Sequence, residues 1–369
     1  MEITRFIQTP VVLLPNIEAL GDTPLPFNML DETRGEIQTV SSLTQLLDRS
    51  VNALNRSLAT LLRGPFNAKS LEGMSTEAVA QLIPELLEQI HAKRDRSHLW
   101  AQRARQCCAV MSHSMKSTLL DESRLRQLNE EQGEILRSLK QALDQDKPFE
   151  IAEALDAGIN SSNDFFDKLL ELIDLIKNGY LAGYEHIIKA YTDFFADFNA
   201  EITAKMKDWI EGTNDGKDVK VNVGALRTAL NNLIKKYSHP NSASVLFPKP
   251  GDGAASKEEA EKWLKALGLP ASCLKQNPPP DSGWCVVIDL SPLTTMLGSL
   301  PSGGTVTWDT AKYNQWQTGF NAQEERLKNM LQSLTQKYSN ANSYHDNFNK
   351  TLSAHLNQFA DMLRAMLNF

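Results

Sequence analysis

Apolar residues recur every three or four positions over long tracts of this chain, and two of the longest tracts bracket a stretch of a different kind. In the first tract Leu43, Leu46, Leu47, Val51, Leu54, Leu58, Leu61 and Leu62 fall on one face, which predicts an amphipathic helix. Ser41 or Ser42 can cap its start, and Gly64-Pro65 stops it. A second helix is expected after Ser75, carrying Val79, Leu82, Ile83, Leu86, Leu87 and Ile90. Pro84 is awkward inside it and marks either its true start or a kink. The region from Arg94 to Lys140 keeps a helical pattern with more charge. Residues 39–148 therefore predict a helical hairpin or small bundle, closed by the linker Asp144-Gln145-Asp146-Lys147-Pro148.

From Leu155 the pattern lengthens. Leu155, Ile159, Ser162, Phe166, Leu169, Ile173, Ile176, Tyr180, Tyr184, Ile187, Tyr191, Phe194, Phe198, Ile202, Met206 and Trp209 form one seam, polar only at Ser162. Its mate runs through Trp316, Phe320, Gln323, Leu327, Leu331, Leu334, Tyr338, Ala341, His345, Phe348, Leu352, Leu356, Phe359, Leu363 and Met366, after a cap at Asp309 or Thr310. A helix of about 55 residues reaches roughly 80 Å and cannot bury such a stripe alone. The two tracts, 149–210 and 309–369, predict an intramolecular antiparallel coiled coil.

Between them the periods shorten. Val219, Val221 and Val223 alternate as in a strand, Ala225–Lys236 and about Lys257–Leu267 read as helices, and Asn277-Pro278-Pro279-Pro280 is a stiff loop. Trp284–Asp289 reads as a strand, Pro292–Leu300 as a helix and Thr305–Trp308 as a last strand. Residues 211–308 thus form a mixed α/β insert. The expected fold is mainly α with a small α/β domain: a long central coiled coil, the N-terminal hairpin along its side and the insert at its distal end. Residues 1–38, with Pro10, Pro15, Pro24 and Pro26, read as a mobile leader.

One feature interrupts the second seam. At its midpoint stands Ser339-Asn340-Ala341-Asn342-Ser343, mostly weak helix formers. Small polar residues let another helix approach closely and offer amide hydrogen bonds.

Charge and chemistry narrow the function. A net charge of -7 and a pI near 5.6, with no basic stripe, argue against nucleic-acid binding. The most apolar long stretch, from Phe165, is broken by Asp167, Lys168, Glu171, Asp174 and Lys177, so no membrane span is expected. The N-terminus lacks the basic region of a cleaved secretory signal. Cys107, Cys108, Cys273 and Cys285 have no zinc-ligand spacing; they read as buried thiols, and a Cys273–Cys285 bridge would need an oxidising compartment. No nucleophile, phosphate-loop or metal-protease motif occurs, and the chain does not read as an enzyme. His91 and His98 read as surface residues. His345, on the seam, reads as a buried polar position, the alternative being a pH switch. Trp308, Tyr313, Trp316 and Phe320 read as packing between insert and coil.

Several stretches resemble the needle-tip proteins of type III secretion systems, the IpaD/SipD/BipD invasion family, most nearly its SipD-like branch. They are Tyr184–Phe195, Leu230–Tyr237, Ser242–Pro248, Ala260–Lys275, Trp284–Leu297 and above all Asp309–Ser343. The similarity covers residues 150–369 in one order; the N-terminal third matches by architecture more than by residues. The resemblance implies export through the secretion apparatus, with an export signal in the leader. It implies a homo-oligomer, usually a pentamer, at the needle tip, holding secretion in check, sensing the host and carrying the hydrophobic translocators. It also implies that the hairpin acts as an internal chaperone and that a bile salt can be a regulatory ligand.

On that basis Lys337, Asn340, Asn342, Asp346 and Asn347 are expected to contact the needle subunit or a neighbouring protomer. Tyr344 and Phe348 would line an amphipathic groove for a bile salt. After Asn347 the chain departs from the family, with His355, Asn357 and Gln358 in its last helix. The competing readings are an injected effector, which needs a catalytic cluster in 211–308, a pore-forming translocator, which needs apolar spans, and a coiled-coil scaffold without tip localisation.

Overall fold

A computed structural model describes residues 40–64, 66, 69–117, 122–144 and 165–367. Helix α1 (Val40–Leu62) buries Leu43, Leu47, Val51, Leu54 and Leu61 against α2 (Thr76–Ser117), which returns alongside it. Ser75 Oγ accepts from the Ala78 amide and caps α2, which runs on through Pro84. Of the two readings of Pro84, a start or a kink, the helix beginning at Thr76 rules out the start; Pro84 lies on the exposed face. A third helix, α3 (Glu122–Asp144), joins the region expected as a hairpin and packs on the last helix of the chain. The expected leader, residues 1–38, Pro65 and the linker residues 145–148 lie outside the described residues.

The first coil tract is α4 (Phe165–Asp174), a π turn (Leu175–Leu181) and α5 (Ala182–Glu201). Its seam from Phe166 to Ile202 is buried at every expected position; Leu155, Ile159 and Ser162 lie outside the described residues. The helix breaks at Ile202, and Met206 and Trp209, on the single turn α6 (Met206–Trp209), are only half-buried. Strand β1 (Ile210–Thr213) follows, where the sequence suggested only the end of a helix.

The insert contains two antiparallel three-stranded sheets. One has the order β1-β2-β6, with β2 (Asp218–Val221) and β6 (Val306–Asp309). The other has the order β3-β5-β4, with β3 (Val245–Phe247), β4 (Leu274–Gln276) and β5 (Trp284–Val287). Helices α7 (Val223–Lys236), α8 (Lys257–Leu267) and α9 (Ser291–Gly298) complete it. Val223 is the first residue of α7 rather than a strand residue, because Asn222 Oδ1 accepts from the Ala225 amide and starts the helix there.

The chain then enters α10 (Thr310–Leu367), 58 residues long, with Asp309 Oδ1 capping the Lys312 amide at 2.8 Å. At 1.5 Å per residue it spans about 87 Å. It runs antiparallel to α4–α5: Tyr191 donates to the Leu327 carbonyl, Tyr180 meets Tyr344, and Phe165 and Phe166 meet Phe359. Trp308, Trp316 and Phe320 pack ring against ring at tilted angles where insert and coil join. No described helix is long and apolar enough to cross a membrane.

Candidate functional site: the two faces of the last helix

A helix in the middle of a bundle has more than one buried face. Along α5, α10 packs mainly through large apolar side chains: Ile187 and Phe194 of α5 and Leu327 and Leu334 of α10 are buried, Tyr191 donates to the Leu327 carbonyl, and Glu185 lies against the Tyr338 hydroxyl. Toward α2 it presents a second row, and that row is polar: Asn342, His345, Asn349 and Ser353 are each at most 2% exposed. The partners come from the buried stripe of α2. Continuing the helical period from Ile90 lands on Lys93, Ser97, Trp100 and Ala104, all buried.

The centre of this layer is an ion pair. Lys93 Nζ lies 2.7 Å from both Asp346 carboxylate oxygens and also donates to the Leu61 carbonyl at 3.2 Å. Beside it, His345 Nε2 is 3.0 Å from Ser97 Oγ, and Trp100 Nε1 donates to Ser353 Oγ at 3.2 Å. Burial lowers the Lys93 pKa against the opposing pull of Asp346. Burial works against the Asp346 carboxylate too, but His345 and Lys93 outweigh it and hold it below the usual range. Burial also lowers the pKa of His345. On α5, burial lifts the Glu185 carboxyl to about 7, against the pull of Arg94 and the Tyr338 hydroxyl. The layer is incompletely satisfied: Asn342 Oδ1 and Asn349 Oδ1 are buried without a hydrogen-bond partner. An orphaned acceptor of this kind costs about 1–3 kcal/mol.

Polar contacts continue along the rest of the interface. Lys328 donates to the Met74 carbonyl, and Gln332 accepts from the Leu71 amide, so the α1–α2 loop is pinned to α10. Arg364 pairs with Asp48 of α1. The three residues that depart from the family pattern all contact the N-terminal helices. Asn357 pairs with Asn55 of α1, His355 with Ser138 of α3, and Gln358 with Glu131 of α3.

The expected site residues do not share one surface. Asn340 and Asn347 are exposed and Lys337 is half-buried, whereas Asn342 is buried and Asp346 is covered by Lys93 of α2. Asn342 is buried because it follows Tyr338 by one turn, on the inner side of α10, and its amide donates to the Tyr338 carbonyl. Phe348 is buried, and Tyr344 is half-buried with its ring against Tyr180, so the two do not form an open groove. Sequence reasoning missed Lys93, Ser97, Trp100, Asn349 and Ser353; the usable signal was the continuation of the α2 period through a Lys and a Ser.

All four cysteines are free and buried. Among the described residues no group of three or more His, Cys, Asp or Glu is placed to hold a metal ion.

Comparison with known proteins agrees with this architecture. The family model for type III secretion systems tip complex components matches residues 44–367. The cell invasion protein SipD of Salmonella typhi is 42% identical over 213 residues, 56% of this chain and 62% of that protein. Invasin IpaD of Shigella flexneri is 38% identical over 213 residues, 57% of this chain and 61% of that protein. The matches thus span about three fifths of the length of these curated relatives. Among solved structures, a pathogenicity island 1 effector protein from Chromobacterium violaceum aligns with a TM-score of 0.59 at 27% identity, covering 87% of this chain and 99% of that one.

Proposed function

The chain belongs to the family of type III secretion system tip complex components, and from that premise we propose that it caps the secretion needle, with α1–α3 as a removable cover over α10. The observation that carries this reading is the contrast between the two faces of α10. Its contact with α5 is built mainly of large aromatic and aliphatic side chains, and separating it would expose that surface to water. Its contact with α2 carries an ion pair, hydroxyls and amides, which water or another protein can satisfy in place of α2.

On this reading the functional units are the leader (1–38), the cover (39–148), the two coil tracts (149–210 and 309–369) and the distal domain (211–308). The needle subunit and neighbouring copies dock on α10 at Lys337, Asn340 and Asn347. Asn342 and Asp346 become available when α2 leaves. The capped needle restrains secretion, senses the host and seats the translocators. A bile salt acting at Tyr344 would enter between its ring and Tyr180.

The test is the affinity of the full chain for the purified needle subunit of the same secretion system. Each lost hydrogen bond is worth about 1 kcal/mol, so Asn340→Ala and Asn347→Ala should each weaken binding about fivefold with helicity retained. Unchanged affinity in the double variant would refute the docking surface.

A further inference from the structure

His345 is a titratable group at the α2–α10 contact that docking itself does not require. It is 2% exposed, held between Ser97 at 3.0 Å and Asn349, whose Nδ2 lies 3.1 Å from the same ring nitrogen. Its Nδ1 is 3.7 Å from Asp346 Oδ1. The surrounding charges are mostly positive. From α2 comes Lys93, itself flanked by Arg96 and by Lys350 of α10; from the π turn comes Lys177; α10 itself adds the carboxylate of Asp346. From helix α1 the Leu61 carbonyl reaches this layer and accepts from Lys93. Glu185 of α5 faces Tyr338 and Arg94.

We infer that His345 is a proton-operated release for the N-terminal helices. A proton on the ring places a second cation in a dry layer whose carboxylate, Asp346, already serves Lys93, and α2 lifts from α10 to let water reach the charge. This concerns the contact between the cover and the coil alone, and it stands or falls independently of needle capping.

The direction follows from linkage. Burial holds the ring below its ordinary value, with Lys93 and Lys177 adding to the effect against Asp346. A group of this kind contributes stability that is present above its free value, about 6.5, and is lost as pH falls from there toward its buried value. Two other groups titrate nearby. Glu185 has the opposite sign, because burial raises its carboxyl and acid favours its folded state. His355, against Ser138 of α3, has the same sign as His345 but lies at a different contact.

Hydrogen exchange of the full chain between pH 7.5 and 5.5, corrected for the intrinsic pH dependence of exchange, tests the inference. Opening of α1 and α2 should increase below about pH 6.5 by up to tenfold per pH unit, the limit for one proton, while α7 and α8 stay protected. His345→Gln keeps an amide near Ser97 but cannot charge, and it should flatten this slope; His355→Gln and Glu185→Gln should leave the fall in place. A pH-independent α2, or the same slope in His345→Gln, would overturn the inference. If His345→Gln does not fold, proton NMR of the native ring decides: a midpoint below about 6.5 supports the release, and one at or above it refutes it.

Discussion

Removing the Asp346 carboxylate should strand a buried ammonium group. The Lys93 side chain is 1% exposed and that of Asp346 14%, with the Nζ 2.7 Å from the carboxylate. Asp346→Ala leaves Lys93 with only the Leu61 carbonyl, and breaking one half of a buried pair costs about 3–5 kcal/mol. Lys93→Met should cost less, because Asp346 lies nearer the surface and can turn to water. The double variant should recover most of the loss, since an apolar pair of similar volume replaces a buried ion pair nearly neutrally.

The assay is hydrogen exchange of α1 and α2 at pH 7.5, where His345 is neutral. Asp346→Ala should raise their opening equilibrium about a hundredfold to several thousandfold, at one power of ten per 1.36 kcal/mol, with the α5 seam far less affected. Half-molar salt should change little, because a buried pair is poorly screened. An effect under fivefold, or a double variant as open as Asp346→Ala, would refute the claim that this pair holds the cover down.

Other outcomes follow from particular side chains. In Gly183→Ala the new Cβ would stand 3.1 Å from Cη2 of Trp263, which is stacked on Phe247. Overpacking of about 1–3 kcal/mol, less about 1 kcal/mol of gained helix propensity, should lower the thermal midpoint measured by circular dichroism. Glu185 has a folded pKa above its free value, so its favourable contribution is complete below about pH 4.5 and lost as pH rises through about 7. Glu185→Gln should therefore melt higher than the native chain at pH 8 and lose that advantage at pH 5. Burial pushes the thiols of Cys107 and Cys285 up to about 11 and that of Cys273 up to about 12. A thiol reagent at pH 8 should modify none of them rapidly in the folded protein and all of them in denaturant.

The coiled coil was legible because its signal is long and local. Sixteen or so residues at steps of three and four leave little room for another reading, and the structure buries them from Phe166 to Ile202 and from Trp316 to Met366, Gln323 alone being half-buried. Strands β1, β3 and β4 were not legible: each has only three or four residues, too few to show the alternation of apolar and polar positions that marked β2. The polar layer was half legible. His345 stood on the seam, but Asn342 and Asp346 looked like outward-facing residues because one helix carries two buried faces. Only the position of α2, set by contacts about 250 residues apart in sequence, distinguishes a covered face from an exposed one.

The central claim is that this chain works at the tip of a secretion needle. Immunogold electron microscopy of the encoding bacterium, with antibody raised against the full chain, tests it most directly. Gold confined to needle tips is the predicted result. Unlabelled needles, with the protein in the bacterial interior or inside host cells, would contradict the claim and assign this fold to another task.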